Sequence, residues 1–407
     1  MRILQVNDYP LDHAAAGGAE RHVDHATRLL RDRGHDVHSF TIADVGGPAR
    51  NARRYIDNSI ARDALCRRLH EFHPDIVHIH NIYHELSPGI MATLQRCRHT
   101  IPFGTIMTAH DAHLVCPNAA LCVADGDRLR GIGWRTGALA PPSIWAGPWD
   151  HRGALYSWLK RVQHIWNYRL HGRHRVPDAV ICPSRFLTAL LTTRGVRAKY
   201  LPHPISSSRI ETRRSDDGPL RVICVGRLAP EKGVLELLRS WPAPHGVTLE
   251  IIGDGPDADA CRQCIEHRAM SDCVSMSGAL PHAKTRKRIA KAHVLIVPSV
   301  CHENAPLVIY EALAHGTNVL LSDRGGLPEV IRDTSVGTLF EPDDHDTLTK
   351  ALAAFQKQRA DGTLNAFDID SVWRERCDER WCDTLIGVYA DAINARRLHH
   401  WPDTAPA

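Results

Sequence analysis

The chain alternates short apolar runs with segments of helical periodicity, and its two halves follow the same order. In the first half, runs rich in Val and Ile predict strands at Arg2 to Asn7, Val37 to Ile42, Asp75 to His80, Thr105 to His110 and Ala179 to Pro183. In the second half, similar runs predict strands at Arg221 to Val225, Leu249 to Ile252, Val294 to Val297 and Asn318 to Ser322. Helical and loop segments follow each run, so both halves predict a parallel sheet covered by helices.

The two halves predict two domains. A polar and charged segment, Ser206 to Pro219, separates them and is the best candidate for a linker. We therefore expect an α/β chain with two doubly wound, parallel-sheet, Rossmann-like domains, the first over residues 1–205 and the second over residues 218–385. Ligands of such sheets bind outside the carboxyl ends of the strands, so two facing domains predict a central binding cleft.

Composition excludes several classes of protein. The chain has 407 residues, of which 43% are apolar and 24% charged, as is typical of a globular protein. Its formal net charge of +4 is too small to indicate a nucleic-acid partner. The sequence has no apolar run of about 18 residues, and its start predicts a strand rather than a signal peptide. The 12 scattered cysteines suggest no disulfide framework, so we expect a cytoplasmic protein.

Two glutamates, Glu303 and Glu311, follow the predicted strand that ends at Val297. Pro306 suits the first position of a helix and Gly316 suits its end. Glu303 is therefore expected on a loop, and Glu311 one to two turns into the helix. Backbone N–H groups at the start of the helix favour an anion, so the segment fits a sugar, a diphosphate and a ribose. The residues between the two acids that we expect to contact this donor are Asn304, Ala305, Pro306, Leu307 and Val308.

Two cations, Arg227 and Lys232, follow the first predicted strand of the second half. At the carboxyl end of a parallel strand, an arginine fork and a lysine point charge can hold a diphosphate. Gly226 and Gly233 permit tight turns and a close approach of the backbone. We therefore assign the two cations to the donor diphosphate.

Three further polar segments follow predicted strands. Gly17 and Gly18 come after the first strand, where backbone N–H groups can approach the donor phosphates or the acceptor. His110 ends the strand that begins at Thr105, and a polar side chain at this edge faces the cleft more often than the core. The segment around Gly253 predicts a turn, with backbone groups near the nucleotide base.

These segments together resemble the retaining glycosyltransferases of family four, which have the two-domain GT-B fold and a Glu-x7-Glu motif. Glu303 and Glu311 match that motif, and Gly325-Gly326-Leu327-Pro328-Glu329 also matches, with a structural rather than a catalytic role. The resemblance covers nearly the whole chain, except parts of residues 119–175 and about the last twenty. It implies transfer of a sugar from a nucleotide diphosphate sugar to an acceptor hydroxyl, in polysaccharide or glycolipid assembly. The acceptor is then a sugar or a lipid-linked sugar.

The resemblance also implies a role for each site residue. Arg227 and Lys232 neutralise the leaving diphosphate, Glu303 faces the hexose, Glu311 holds the ribose, and His110 orients the transferred sugar. The glycine pair at residues 17–18 lies beside the reaction centre. The last helix, about residues 385–400, packs back on the first domain.

The sequence predicts no cofactor and no metal site. The pair Cys261-x-x-Cys264 has no second pair, and Asp368-Ile-Asp370 lies outside the motifs at the strand ends. Cysteines after His110, such as Cys116 and Cys122, leave a metal site there open. The segment Leu155 to Arg175 has two interpretations: a basic amphipathic helix at the inner face of a membrane, or a helix that packs its aromatic side chains into the first domain.

Two other functions stay open at this point. A sugar-nucleotide epimerase of GT-B architecture would use the same cleft without an acceptor. A nucleotide-sugar binding protein without turnover is the alternative from a different class, although the presence of both cations and both glutamates argues against it.

Overall fold

The computed structural model describes residues 1–13, 16–47, 51–119, 121–125, 128–131, 150, 153–204, 218–334, 336–364 and 376–399. Most of the predicted linker and the segment Asp368-Ile-Asp370 lie outside these residues.

The strands of the described residues are, in chain order, β1 (Arg2–Val6), β2 (Asp36–Phe40), β3 (Ile76–Ile79), β4 (Gly104–Thr108), β5 (Cys122–Asp125), β6 (Arg128–Gly131), β7 (Ala179–Cys182), β8 (Ala198–Tyr200), β9 (Leu220–Val225), β10 (Val247–Ile252), β11 (Val274–Gly278), β12 (Val294–Val297), β13 (Asn318–Ser322) and β14 (Thr338–Phe340).

The helices are, in chain order, α1 (Gly18–Asp32), α2 (Ala52–Ile56), α3 (Ser59–Phe72), α4 (Ile90–Cys97), α5 (Ala154–His164), α6 (Arg185–Thr192), α7 (Val234–Ser240), α8 (Ala258–His267), α9 (His282–Lys291), α10 (Leu307–Ala314), α11 (Leu327–Thr334), α12 (His345–Ala360) and α13 (Asp378–His399). A π-helical turn, Ile165–Leu170, continues α5, and a 3₁₀ turn, Pro230–Lys232, precedes α7.

The chain divides into two compact units. The first holds the described residues within Met1–Ala119, Ala138–His203 and Asp378–Ala407, and the second those within Ala120–Gly137 and Pro204–Cys377.

This division differs from the predicted one at two places. Residues 1–205 were expected to form one continuous domain, but the hairpin β5–β6 belongs to the second unit, where Cys122 packs against Val300 and Cys301. The second domain was expected to extend to residue 385, but α13 belongs to the first unit from its first residue. Both differences arise because apolar contacts between distant residues, and not chain order, decide which unit a segment joins.

The first unit is built on a sheet in the order β2-β1-β3-β4-β7-β8, and all its strand pairs are parallel. Its core joins inward residues of the strands, such as Ile3 and Ile106, to Leu385 and Tyr389 of α13. At Gly104 on β4 an added Cβ would lie 3.0 Å from the Cβ of Ala392, so this helix lies directly against the strand. The C-terminal helix is therefore part of the core of the first unit.

The second unit has a sheet in the order β11-β10-β9-β12-β13-β14, again with parallel pairs. The reversal of strand order between β9 and β12 places the loops after these two strands side by side, at the carboxyl edge of the sheet. One hydrophobic cluster lies on each side of the sheet, one around Trp241 and the other around Ile309. The two sheets confirm the predicted fold class, two doubly wound parallel-sheet domains.

The segment after residue 153 corrects one interpretation of the sequence. Its aromatic side chains were considered as core residues, which holds for Tyr168 at 3% exposure but not for Trp158 and Trp166, which are 56% and 41% exposed. The buried side also carries polar groups: Gln163 donates to the carbonyl oxygens of Tyr55 and Tyr83 at 2.6 and 2.9 Å. The two N–H groups of one amide satisfy two buried loop carbonyls, whereas an indole ring has a single N–H.

None of the described helices combines the length and the apolar character needed to cross a bilayer.

Candidate functional site

Lys232 and Glu303 form an ion pair in the second unit. Lys232 ends the 3₁₀ turn after β9, and Glu303 lies on the loop between β12 and α10, as the sequence predicted for each. Lys232 Nζ donates to Glu303 Oε1 at 2.6 Å, with 35% of the lysine side chain and 15% of the glutamate side chain exposed. About a third of the lysine side chain is therefore in contact with solvent.

The charge of Lys232 is secured by its partner. Burial acts to lower the pKa of Lys232, but the charge of Glu303 and its hydrogen bond outweigh burial, so the pKa is raised above its usual value of 10.5. Lys232 is therefore a cation at any pH at which the protein works. Arg227, the second predicted cation, is 57% exposed, and its guanidinium lies 3.6 Å from Glu231 Oε1.

Ser299, which the sequence did not point to, fixes the orientation of Glu303. Ser299 Oγ donates to Glu303 Oε1 at 2.6 Å, and Ser322 Oγ donates to the carbonyl oxygen of Ser299 at 2.7 Å. The same carboxylate oxygen thus accepts from a cation and from a hydroxyl. These two bonds leave the carboxylate little rotational freedom.

Two glycines allow the backbones of neighbouring loops to approach closely. Gly233 has φ +67°, and a Cβ there would lie 2.2 Å from the carbonyl oxygen of Pro298. Gly325 has φ +61°, and a Cβ there would lie 2.3 Å from the carbonyl oxygen of Glu303, while the N–H of Gly326 donates to that oxygen at 2.8 Å. The Gly325-Gly326 pair thus supports Glu303 from behind, a structural role.

The helix between the two glutamates begins at Leu307, one residue later than predicted. Pro306 occupies the N-cap position and offers no side-chain hydrogen bond, and the first turn carries no acidic residue. Leu307 and Val308 are part-buried, as are Asn304 and Pro306, whereas Ala305 packs its side chain into the core. No side chain of the helix thus neutralises its positive end, which is suited to an anion.

Glu311 lies in the second turn of α10 and has a partner that the sequence did not indicate. His282 Nε2 donates to Glu311 Oε1 at 2.8 Å, with the histidine 41% and the glutamate 22% exposed. His282 is the first residue of α9, 29 positions earlier in the chain. No local pattern marks it, because only the packing of α9 beside α10 brings the two residues together.

Gly253 follows β10, beside the loop that carries Arg227. The N–H of Gly226 donates to the carbonyl oxygen of Ile252 at 3.0 Å, and the N–H of Gly253 donates to that of Gly278 at 2.9 Å. The predicted turn is therefore tied to both neighbouring strand ends. Its N–H group is already used within the second unit.

In the first unit, Gly17 is the N-cap of α1 and Gly18 is its first residue. The N–H of Gly17 donates to Glu20 Oε2 at 2.7 Å, and Asn7 Nδ2 donates to Glu20 Oε1 at 3.1 Å. Glu20 is only 6% exposed, so its carboxylate closes the positive end of α1 from inside the protein. The N–H of Gly17 was expected to approach a ligand, but it is already bonded to Glu20; Gly18 is exposed.

His110 follows β4 and belongs to a group of packed histidines. Its Nε2 lies 3.2 Å from Nδ1 of His80, and His80 Nε2 lies 2.7 Å from Gln5 Oε1. The ring centroids of His22 and His203 are 5.4 and 6.1 Å from that of His110. These residues come from β1, α1 and the segments that follow β3, β4 and β8, so the sheet order assembles them.

Burial keeps His22, His78, His80 and His110 neutral near pH 7. It lowers the pKa of His110 to about 4 and that of His78 to about 3, and it places the pKa of His80 and His22 well below the usual 6.5. With the oxygen of Gln5 as acceptor, neutral His80 carries its proton on Nε2 and accepts from His110 Nε2–H. In this tautomer His110 Nδ1 is the acceptor nitrogen of the ring.

Asp8, after β1, organises the loop that follows β3. Its carboxylate accepts from the backbone N–H groups of His84, Glu85 and Leu86 at 2.8, 3.1 and 2.8 Å. Burial raises the pKa of Asp8 to about 7, although these hydrogen bonds act in the other direction. Asp8, which follows β1, thus fixes the loop that follows the neighbouring strand β3.

The cysteines after His110 fall in different units, Cys116 in the first and Cys122 in the second. Cys122 packs with Val300 and Cys301, beside the loop that carries Glu303.

Two family models together match residues 16 to 367: "Glycosyltransferase Family 4" matches residues 16–209, and "Glycosyl transferases group 1" matches residues 208–367. The chain belongs to the family four glycosyltransferases.

Among curated relatives, a GDP-mannose-dependent alpha-mannosyltransferase of Mycobacterium tuberculosis is 30% identical over 241 residues, 55% of this chain and 59% of the relative. The amylovoran biosynthesis glycosyltransferase AmsK of Erwinia amylovora is 28% identical over 212 residues, 50% of this chain and 48% of the relative. The matched regions span between 36% and 59% of the length of the first curated relatives.

Solved structures of similar fold cover the glycosyltransferase almost completely. Sucrose-phosphate synthase from Thermosynechococcus elongatus has a TM-score of 0.72 at 17% identity, covering 97% of this chain and 100% of that one. Anabaena HepE in complex with UDP-glucose has a TM-score of 0.64 at 15% identity, covering 96% of this chain and 100% of that one. At such identities the likeness concerns the fold, and it agrees with the two-domain architecture predicted from the sequence.

Proposed function

We propose that this glycosyltransferase transfers a sugar from a nucleotide diphosphate sugar to an acceptor hydroxyl, with retention at the anomeric carbon. The observation that carries the proposal is the accessible Lys232–Glu303 pair at 2.6 Å, one loop away from the uncapped start of α10. A cation and a helix N-terminus together favour a diphosphate. The complex of Anabaena HepE with UDP-glucose supports the same class of donor.

The leaving group determines what the protein has to stabilise. The bond between the anomeric carbon and the diphosphate oxygen breaks, the bond to the acceptor oxygen forms on the same face, and the acceptor proton passes to the leaving phosphate. Negative charge grows on the diphosphate in the transition state, where Lys232 and the N–H groups of Leu307 and Val308 stabilise it. Arg227 can join them, because an exposed ion pair such as Arg227–Glu231 is worth only about 0–1 kcal/mol.

These groups can carry the reaction without a metal ion. Lys232 brings a full charge, Arg227 a second one, and the start of α10 about half an elementary charge. A diphosphate neutralised in this way does not require magnesium or manganese, so we propose a metal-independent transferase of the hexosyltransferase type without a cofactor.

The two glutamates have different tasks in this proposal. Glu303, held by Lys232 and Ser299, faces the hexose, where its second oxygen accepts from sugar hydroxyls. Glu311 binds the ribose hydroxyls and exchanges its bond to His282 for them. The Gly253 turn lies near the base. In the first unit, His110 orients the transferred sugar, and the exposed Gly18 positions the acceptor.

The acceptor is proposed to be a sugar or lipid-linked sugar in polysaccharide or glycolipid assembly. The name of AmsK, an amylovoran biosynthesis glycosyltransferase, supports a polysaccharide product. A stripe of exposed apolar side chains along α5 and its π-helical continuation supports a lipid surface. Its members are Leu155, Trp158, Trp166 and Leu170, exposed by 74%, 56%, 41% and 66%.

The spacings of three, eight and four residues keep these side chains on one side of the helix, with Arg169 and Lys160 nearby in the chain. We propose that it inserts at the cytoplasmic face of a membrane. Vesicles containing anionic lipid should sediment the wild type but much less of Trp158→Ser/Trp166→Ser. The variant Ile60→Ser, at another exposed apolar position (39%), is the matched control and should still sediment.

A donor screen tests the central proposal. Thermal unfolding is measured with common nucleotide sugars, because a bound ligand raises the apparent stability in proportion to the logarithm of its concentration over Kd. The selected donor is then incubated with candidate acceptors, and the anomeric configuration of the product is read by NMR. An inverted product, or conversion of the donor without an acceptor, would contradict the proposal; the latter result defines an epimerase, which the comparisons do not favour.

A further inference from the structure

Three metal-ligating side chains meet in the first unit, apart from the residues discussed above. Cys66 and His70 lie one turn apart on α3, and Cys97 is the last residue of α4. The two sulfur atoms are 3.5 Å apart, and Cys66 Sγ is 3.9 Å from His70 Nδ1. One ligand atom from each residue lies within 4.8 Å of the other two.

These separations suit ligands that surround one small cation. In a tetrahedral site with zinc–sulfur bonds of about 2.3 Å and a zinc–nitrogen bond of about 2.0 Å, neighbouring ligand atoms are about 3.5–3.8 Å apart. Two thiolates and an imidazole select zinc or a similar cation over magnesium and calcium, which prefer oxygen ligands. We infer that Cys66, His70 and Cys97 form a site for a thiophilic divalent cation, with zinc the best fit.

The two helices present the ligands on a rigid support. Leu65 and Leu69 of α3 and Leu94 of α4 are fully buried, and Thr93 Oγ1 on α4 donates to the carbonyl oxygen of Arg62 on α3 at 3.3 Å. Because the three ligand atoms already lie within 4.8 Å of one another, they need to move by about 1 Å at most to reach the separations of a tetrahedral site. His70 is exposed and Cys66 is half-buried, so a cation can enter from solvent, and water can take the fourth position.

Binding must release protons. Burial raises the pKa of the Cys97 thiol to about 11, so Cys97 loses a proton to solvent as its thiolate binds the cation. His70 Nδ1 now donates to the carbonyl oxygen of Cys66 at 2.9 Å. Ligation through Nδ1 moves that proton to Nε2 on the exposed ring. Affinity should therefore fall as the solution is acidified.

Cobalt(II) is the probe for the test, because its thiolate complexes absorb light and zinc displaces it. The reduced, chelator-treated full-length protein should bind one equivalent of cobalt with thiolate-to-metal absorbance, and zinc should remove that absorbance. Cys66→Ser, Cys97→Ser and His70→Ala should each weaken binding by about 10²-fold, given that even loss of a supporting group costs about 10–100-fold. Cys264→Ser is the matched control, since Cys264 is also half-buried, with another cysteine three residues earlier, and binding should be unchanged.

Several outcomes would overturn the inference. Absence of thiolate absorbance in the reduced wild type would do so, and so would equal binding by wild type and the three ligand variants. Loss of binding in Cys264→Ser would move the site to α8. His70→Ala keeps the test valid if a cysteine variant does not fold, because His70 is exposed. No sugar donor enters these measurements, so their result is independent of the proposed reaction.

Discussion

The two residues of the Lys232–Glu303 pair should have opposite effects on the affinity for a nucleoside diphosphate. Removing the charge of Glu303 should raise that affinity, and removing the charge of Lys232 should lower it. In the ligand-free protein the lysine is already bonded to Glu303 at 2.6 Å, so a diphosphate has to compete with that carboxylate for the ammonium group. Glu303→Gln removes the competitor and keeps the shape of the side chain. Lys232→Met removes the cation and keeps most of the volume.

The two expected changes in affinity differ in size because Glu303→Gln removes an ion pair within the protein, whereas Lys232→Met removes a contact to the ligand. The lysine side chain is 35% exposed, so solvent screens the pair, and its loss should make the diphosphate bind about 2–5-fold more tightly, which corresponds to about 0.5–1 kcal/mol. Lys232→Met loses a charge-assisted hydrogen bond to phosphate of about 1.5–3 kcal/mol, or about 10–150-fold in Kd. Turnover should fall in both variants, by about 10²-fold for the lysine.

The assay is isothermal titration calorimetry with the nucleoside diphosphate of the donor that thermal shift selects. The bare diphosphate contains the ribose and lacks the hexose, so its affinity does not depend on contacts between Glu303 and the sugar. Lys199→Met is the matched control, because Lys199 also pairs with a carboxylate, Asp391, at 3.0 Å, and lies in the first unit. If Glu303→Gln weakened binding as much as Lys232→Met, the carboxylate would support the diphosphate site, and the competition argument would be wrong.

The remaining predictions concern the ribose, the histidines and metal ions. Glu311→Gln should raise the donor KM with little change in kcat, because the ribose is remote from bond breaking; a fall in kcat alone would contradict its assignment. His78 has a pKa lowered to about 3, so its contribution to stability is complete above about pH 6.5 and decreases as the pH falls towards 3. Between about pH 7 and pH 5, protonation linked to His78 should lower the free energy of unfolding of the wild type by about 2 kcal/mol. Urea unfolding should therefore show a decrease that is smaller by about this amount in His78→Gln. Parallel plots of unfolding free energy against pH for the two proteins would refute the argument. Comparison with the variant is required because Asp8 and Asp111, whose pKa values are raised to about 7 and about 6, favour the folded state on acidification. Finally, turnover should persist in excess chelator; recovery only after addition of magnesium or manganese would disprove metal independence.

The sequence by itself was sufficient for the elements that local patterns define. Apolar runs marked nine of the twelve strands of the two sheets but not the edge strands β8, β11 and β14, and the glycine, proline and polar residues after the runs marked the loops that carry Lys232 and Glu303. The position of Glu303 on a loop and of Glu311 on a helix could also be predicted, because Pro306 lies between them and helix starts have a local signature. Such signals come from residues within about one or two helical turns of each other, where the local backbone geometry is nearly the same in every fold.

The tertiary structure alone decided which of these residues meet. Lys232 and Glu303 are 71 positions apart, and His282 and Glu311 are 29 apart, so neither pair follows from local periodicity. The hydrogen bonds from His110 through His80 to Gln5 join β4, β3 and β1, and they exist because the sheet order places those strands side by side. The assignment of α13 to the first unit has the same origin, since burial of Leu385 and Tyr389 against β1, β3 and β4 outweighs their place at the end of the chain. The hydrophobic effect depends on the apolar area that is buried and not on the separation of residues along the chain. Segments therefore pack where their surfaces fit, and a single sequence does not show the shape of those surfaces.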